Sequence, residues 1–264
     1  MKRQQWATER GGTPATNAQR PARLSPLEIS LGTACADIAI TVLTTVVAVV
    51  HLAPALAEVF AGCSSVALQH LVARVVSTAV IVGMVFLLLV SDGLPAYSIG
   101  VTCQRLGAQI LAGVYALPLS FGVVALSFGI YWIASGLWPA HESPARPIGG
   151  LATLAAGGRV DSLFVLLALG AIQEEIVFRA ILLTRLRRIV GRWWLAVVAS
   201  STLFAGMHLA GGGGLAWSSF FLSILWSHLY IRSGSLITIV VVHVLLNTTL
   251  VLILPRILAP ALGP

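Results

Sequence analysis

Long apolar runs alternate with short polar breaks along the chain, at a spacing that predicts a bundle of membrane-crossing helices. Between Asp37 and Glu58 lie twenty residues without Asp, Glu, Lys or Arg, the length needed to cross about 30 Å of hydrocarbon. This predicts a first span over 34–53. A charge-free run from Val75 to Ser91, extended back through His70 to Ala73, predicts the second. The segment from Leu94 to Gln109 interrupts the pattern with Pro95, Gly100, Gln104 and Arg105, and reads as a short interfacial element. A third span follows over 109–134 and leads into Tyr131, Trp132 and Trp138, aromatic residues of the kind that settle at headgroup depth. Residues 136–160 read as a loop rich in Gly and Pro, and a fourth span covers 162–184. From Trp193 to Ile231 there are thirty-nine residues without a formal charge, too many for one crossing. Gly211-Gly212-Gly213-Gly214 divides them into a fifth span at 193–210 and a sixth at 215–231. The seventh runs from Leu236 to Leu254 and stops at Pro255. The predicted fold is therefore all-α: a polytopic membrane helical bundle of about seven transmembrane helices.

Composition agrees with the pattern. The 264 residues are 58% hydrophobic and 9% charged, against about 25% charged in a soluble domain. The net charge of +7 does not point to nucleic acid, because the basic residues lie in short segments between apolar runs and form no stripe interleaved with aromatics. Basic loops facing an anionic leaflet account for it. Placing the N-terminus in the cytoplasm puts Lys2, Arg3, Arg10, Arg20, Arg23, Arg105, Arg185, Arg187, Arg188, Arg192 and Arg232 inside, with Arg146, Arg159 and Arg256 outside. The predicted topology is N-in and C-out, with the dense run Arg185 to Arg192 in a cytoplasmic turn. Residues 1–30 are polar and basic and read as a flexible cytoplasmic tail, with the first span an uncleaved one. Cys35, Cys63 and Cys103 form no CxxC pair, so neither a disulfide framework nor a thiolate metal site is indicated. These features suggest a bacterial inner membrane, with the lipid bilayer as the surrounding medium.

The fourth span carries the chemistry. Glu174 and Glu175 are two of only nine acidic residues, set side by side where the helix crosses the hydrocarbon. A charged residue at that depth costs about 2.5–3.5 kcal/mol even on insertion-based scales, so intramembrane carboxylates signal function and demand partners. Arg179 lies four residues beyond Glu175, and positions i and i+4 share a helix face. Successive residues point about 100° apart, so the two glutamates cannot serve Arg179 equally. Glu175 is expected to pair with Arg179, leaving Glu174 free for chemistry. The fifth span ends in Phe204-Ala-Gly-Met-His208, and the seventh holds His243-Val-Leu-Leu-Asn247. Each of those two pairs again shares a face. A carboxylate, two imidazoles and an amide in a low-dielectric cavity suffice to hydrolyse an amide bond. Burial makes a carboxylate a stronger base towards water, a histidine can hold that water and pass the proton to the leaving amine, and donors can stabilise the oxyanion.

EExxxR from Glu174 to Arg179, FxxxH from Phe204 to His208 and HxxxN from His243 to Asn247, in this order and on separate apolar spans, resemble the CPBP family. These are the CAAX proteases and bacteriocin-processing enzymes, also called the Abi family of intramembrane endopeptidases. The resemblance covers about residues 160–254 and implies a division into a tail (1–30), N-terminal transmembrane helices (31–159), a catalytic helical core (160–254) and a C-terminal tail (255–264). It implies that Glu174 activates the attacking water with His208 as catalytic partner, that His243 and Asn247 stabilise the oxyanion, and that Glu175, Arg179 and Phe204 support the site. It also implies a glutamic protease that needs no cofactor, although Glu174, His208 and His243 are a possible zinc set as well.

Structural readings stand beside these. Glu175 and Arg179 can simply pin helices together, and His243 and Asn247 can be interhelical hydrogen-bond partners. His51, His70, His141 and His228 carry no motif and read as boundary or packing residues. Ser233-Gly234-Ser235 with His243 falls in a basic turn, and HExxH is absent. The expected function is an intramembrane endopeptidase acting on a hydrophobic or membrane-anchored peptide or protein substrate. The competing classes are a proton-coupled transporter using the same groups as a relay, and a peptide-binding immunity or scaffold protein.

Overall fold

The computed structural model describes residues 29–59, 66–137 and 160–254. The expected N-terminal tail as far as residue 28, the loop over 138–159 and the C-terminal tail lie outside the described residues. Seven helical segments form the bundle, and no strand occurs among the described residues. Helix α1 (31–59) begins at a Ser30 cap whose hydroxyl accepts from the Thr33 amide; α2 is Val66–Ser91 and α3 is Leu106–Leu137. Helix α4 (160–190) joins Val160–Glu175, Ile176–Leu183 and Thr184–Val190. Helix α5 is Trp193–Met207, α6 is Gly213–Ser233 and α7 (236–253) begins with Leu236–Thr248. The interfacial element expected after the second span is a short 3₁₀ turn, Ala96–Ile99.

Five of these helices are long and apolar enough to cross a membrane. Helix α4 is broken in composition by its own charges, and α5 has only 15 residues. At 1.5 Å per residue α5 rises about 22 Å, less than the hydrocarbon thickness. The fifth span thus ends at Met207, not at 210, because the chain turns into a 3₁₀ step at Leu209–Gly211 before the glycine run.

Helix packing follows the rules of an apolar solvent, where small residues and polar contacts hold helices together. Helix α5 packs on α6, α3 on both α6 and α7, and α4 on α2 and α7. A side chain at Gly113 of α3 would place its Cβ 2.8 Å from the Thr238 carbonyl and from Val241 of α7, so glycine is required there. Trp226 Nε1 of α6 donates to Ser120 Oγ of α3 at 3.0 Å, and Tyr230 Oη donates to the Ile99 carbonyl at 2.9 Å. Gly191 and Gly234 close α4 and α6 in the left-handed conformation, the usual glycine stop.

One expectation is corrected here. Arg185 is not part of a solvated basic turn: it is fully buried. Its Nε donates to Asp37 of α1 at 2.8 Å and its Nη2 to Asp92, just after α2, at 2.7 Å. Arg188 Nε donates to the Ile29 carbonyl at 2.6 Å. Glu175 is therefore not the only buried acid among the described residues; Asp37 in the first span is 3% exposed. Burial, and then the neighbouring Asp37, push the Asp92 carboxyl above the usual carboxylate range while Arg185 pulls it back.

Candidate active site

Helix α4 changes its winding at the two glutamates. Residues up to Glu175 are α-helical, and Ile176–Leu183 are π-helical, a wider turn that recurs at functional sites. Glu174 and Glu175 thereby diverge as their spacing predicts. Glu175 is fully buried, whereas the Glu174 side chain retains 26% exposure into a cavity.

Glu175 holds the buried side of the site together. Its Oε1 accepts from Arg179 Nη1 at 3.1 Å and from His243 Nδ1 at 2.7 Å. Helix α6 adds a second partner to Arg179, where Nη2 donates to Ser223 Oγ at 3.2 Å, while Nε is buried without a hydrogen-bond partner. Its guanidinium lies 4.7 Å from the Phe204 ring centre and 5.6 Å from that of Trp226, within cation–π range. Phe204 is the hub of the aromatic packing: it meets Phe178 edge-on at 5.0 Å and His208 at 4.6 Å. Trp226 packs on His243 at 4.4 Å.

The histidines take different stations. The 2.7 Å contact with the Glu175 carboxyl oxygen makes His243 Nδ1 the donor, and its Nε2 then faces Glu174 Oε2 at 3.7 Å. His208 caps α5, and its Nδ1 lies 2.8 Å from the Phe204 carbonyl. That contact also makes Nδ1 the donor, leaving Nε2 as the basic nitrogen. Glu174, His208 and Asn247 line one cavity of about 720 Å³. The structure brings the expected residues to one place, with a change of pairing. Of the two histidines it is His243 that stands next to both glutamates, while Glu174 and His208 face the cavity without a hydrogen bond between them. Glu174 Oε2 and Glu175 Oε2 are buried without a hydrogen-bond partner.

Other contributors lie outside the three motifs. Gln173 Oε1 accepts from Arg74 Nη1 at 2.8 Å, and its amide donates to Ser77 at 2.9 Å, which ties α2 to α4 immediately beside Glu174. Ser223 and Trp226 come from the sixth span. Ser219, Ser223 and Ser227 recur at i+4 and all are buried; that spacing was the available signal. Arg74 was legible as a cation within the second span, six residues inside the run from Leu68 to Ser91.

Among the described residues no group of three or more His, Cys, Asp or Glu side chains that could hold a metal ion occurs.

Seven apolar helices enclosing a polar cluster of two carboxylates, two histidines and an arginine define a polytopic membrane protein. Residues 158–249 match the family model described as Type II CAAX prenyl endopeptidase Rce1-like, a likeness consistent with the CAAX-protease (CPBP) family. The matched segment contains all seven residues of the three motifs. No curated protein and no solved structure gives a significant match.

Proposed function

We propose that the protein is an intramembrane endopeptidase that hydrolyses a peptide bond of a hydrophobic or membrane-associated peptide with water activated by Glu174. The observation that carries this reading is the inequality of the two glutamates: Glu175 is occupied by Arg179 and His243, while Glu174 turns an oxygen to the cavity shared with His208 and Asn247. A water in that cavity donates one hydrogen to Glu174 and one to His208 Nε2. As its oxygen attacks the scissile carbonyl, Glu174 takes the proton, and His208 relays it to the leaving nitrogen when the carbon–nitrogen bond breaks. The oxyanion accepts from the Asn247 amide and from His243 Nε2–H. This role needs both ring N–H groups of His243, Nδ1–H held by Glu175 and Nε2–H aimed at the oxyanion. The prenyl group belongs to the description of the family, and the proposal extends only to a hydrophobic peptide.

The test is cleavage of a hydrophobic fluorogenic peptide library by the full chain in nanodiscs, with wild type, Glu174→Gln and His208→Ala, with and without a strong zinc chelator. Wild-type cleavage that survives the chelator and is lost in both variants is the expected result. Loss with the chelator and return with zinc would transfer the same residues to a metal site. A folded wild type that cleaves nothing would overturn the reading in favour of a proton relay or a binding role, which proton flux in liposomes would then separate.

A further inference from the structure

The cavity occupies one half of the bundle only, and helix polarity identifies which half. Consecutive helices run in opposite directions. In α1 the lining begins at Val49 and ends at Glu58, in the second half of the helix. In α2 it lies between His70 and Ser77, in the first half, and in α4 between Leu163 and Glu174, again the first half. Helix α5 contributes only His208, past its end, and α7 contributes Asn247 and Val251, near its end. Every contribution thus comes from the end of the bundle that holds residues 58, 66, 160, 211 and 253. On α4 the lining runs from Leu163 to Glu174, a depth of about 16 Å. The shortness of α5 leaves room for this recess, because His208 stops below the level that the longer helices reach. Exposed Glu58 and His70 stand at its outer rim.

The opposite half is closed. Arg179 to Leu183, Tyr230 and Ile239 are buried to 2% exposure or less, and the Asp37–Arg185–Asp92 ion group ties α1, α2 and α4 across that end. Tyr230 bonded to the Ile99 carbonyl and the Leu236 amide bonded to the Gly100 carbonyl at 3.0 Å join α6, α7 and the turn after α2 at the same level. This closed end is also the basic one. With Arg185 neutralised by its aspartates, ten Lys and Arg still lie on its side in the chain order, against Arg146, Arg159 and Arg256 on the other. The positive-inside rule assigns the basic end to the cytoplasm.

We infer that the Glu174 cavity opens to the extracytoplasmic side of the membrane and is sealed from the cytoplasm, so that the protein takes its substrate from the outer half of the bilayer. The occupant is then a hydrophobic peptide segment whose reactive bond is presented at the extracytoplasmic face, as in an exported or membrane-inserted precursor, and not a cytoplasmic chain end. That the occupant is a peptide substrate rests on the protease reading; the side on which the cavity opens does not.

Thiol accessibility tests the opening without any assay of cleavage. Cys35 and Cys63 are replaced by Ala, and Cys103, exposed at the basic end, is kept as the cytoplasmic marker. Into this chain are placed, singly, Glu58→Cys at the rim and Gly170→Cys in the lining, where a Cβ meets nothing within 4 Å. A small membrane-impermeant methanethiosulfonate is applied to right-side-out and to inverted vesicles, and total thiol is counted after detergent. The expected result is modification of Glu58→Cys and Gly170→Cys in right-side-out vesicles only, and of Cys103 in inverted vesicles only. Modification of Gly170→Cys from the inverted side, or of Cys103 from the right-side-out face, overturns the inference. So does a Gly170→Cys that reacts from neither side while Glu58→Cys reacts.

Discussion

Glu175 and Arg179 have two tasks that a double-substitution cycle separates. Removing one member of a buried ion pair costs about 3–5 kcal/mol, because the survivor is left as an uncompensated charge, whereas replacing both with apolar groups of similar size is often close to neutral. The structure ranks the two single variants. In Glu175→Leu, Arg179 keeps Ser223 and two aromatic faces, and cation–π contacts are worth about 0.5–2 kcal/mol, so the loss falls at the low end of the range. In Arg179→Met, Glu175 keeps only the His243 N–H, and its Oε2 already lacks a partner, so the loss falls at the high end. The double variant Glu175→Leu with Arg179→Met is expected to unfold later than Arg179→Met alone. Its activity should not return with its stability. Without the carboxylate, His243 loses the partner that fixes its proton on Nδ1, and a carboxylate that orients a catalytic histidine is worth up to about 10⁴ in kcat. Equilibrium unfolding in mixed micelles, beside single-turnover cleavage in nanodiscs, measures both. A double variant no more stable than Arg179→Met, or one that cleaves at the wild-type rate, would refute the reasoning.

Three further outcomes follow from the geometry. Asn247→Ala is expected to lower kcat by about 10²–10³, the usual loss for one oxyanion donor, with little change in KM or melting temperature because the side chain faces the cavity. Arg74→Ala leaves the Gln173 carbonyl without its donor and should cost about 1–3 kcal/mol of stability; adding Gln173→Leu should cost little more, which unfolding of the single and double variants will show. Gly113→Leu drives a side chain into Thr238 and Val241 and should destabilise by about 1–3 kcal/mol through overpacking, with Gly113→Ala milder in the same melt.

What the sequence showed, and what it hid, divides by whether a residue's meaning is local. Seven helices were legible because the hydrocarbon imposes a length on each apolar run, and the observed segments differ from the expected ones mainly at their ends. Glu175 and Arg179 were legible as a pair because four residues along one helix bring them together. The station of His243 was not, since its nearness to both glutamates depends on how α7 crosses α4. Arg185 was misread for the same reason. Beside Arg187, Arg188 and Arg192 it looks like one charge in a basic turn, and only the approach of α1 and α2, 148 and 93 residues away in sequence, makes it the centre of a buried group. The serines of α6 were passed over because a hydroxyl in an apolar helix commonly bonds its own backbone, as Ser218 does with the Gly214 carbonyl; Ser223 instead accepts from Arg179 Nη2.

Helix α4 thus carries two buried arginines six residues apart, each facing two carboxylates, and their chemistry differs in one respect. At Arg185 both aspartates direct an oxygen onto the guanidinium at 2.7–2.8 Å, and neither appears with a buried oxygen lacking a partner. Such a group is closed, and it holds three helices in place. At Arg179 only one of the two glutamates is engaged, and each glutamate keeps one buried oxygen without a hydrogen bond. Buried polar atoms are rarely left unbonded, and where they are, a water, a ligand or a reaction is the usual reason. The unsatisfied group adjoins the cavity and the satisfied one adjoins the sealed end. The same pairing of residue types therefore serves as a fastening at one level of the helix and borders the cavity with unbonded oxygens at the other.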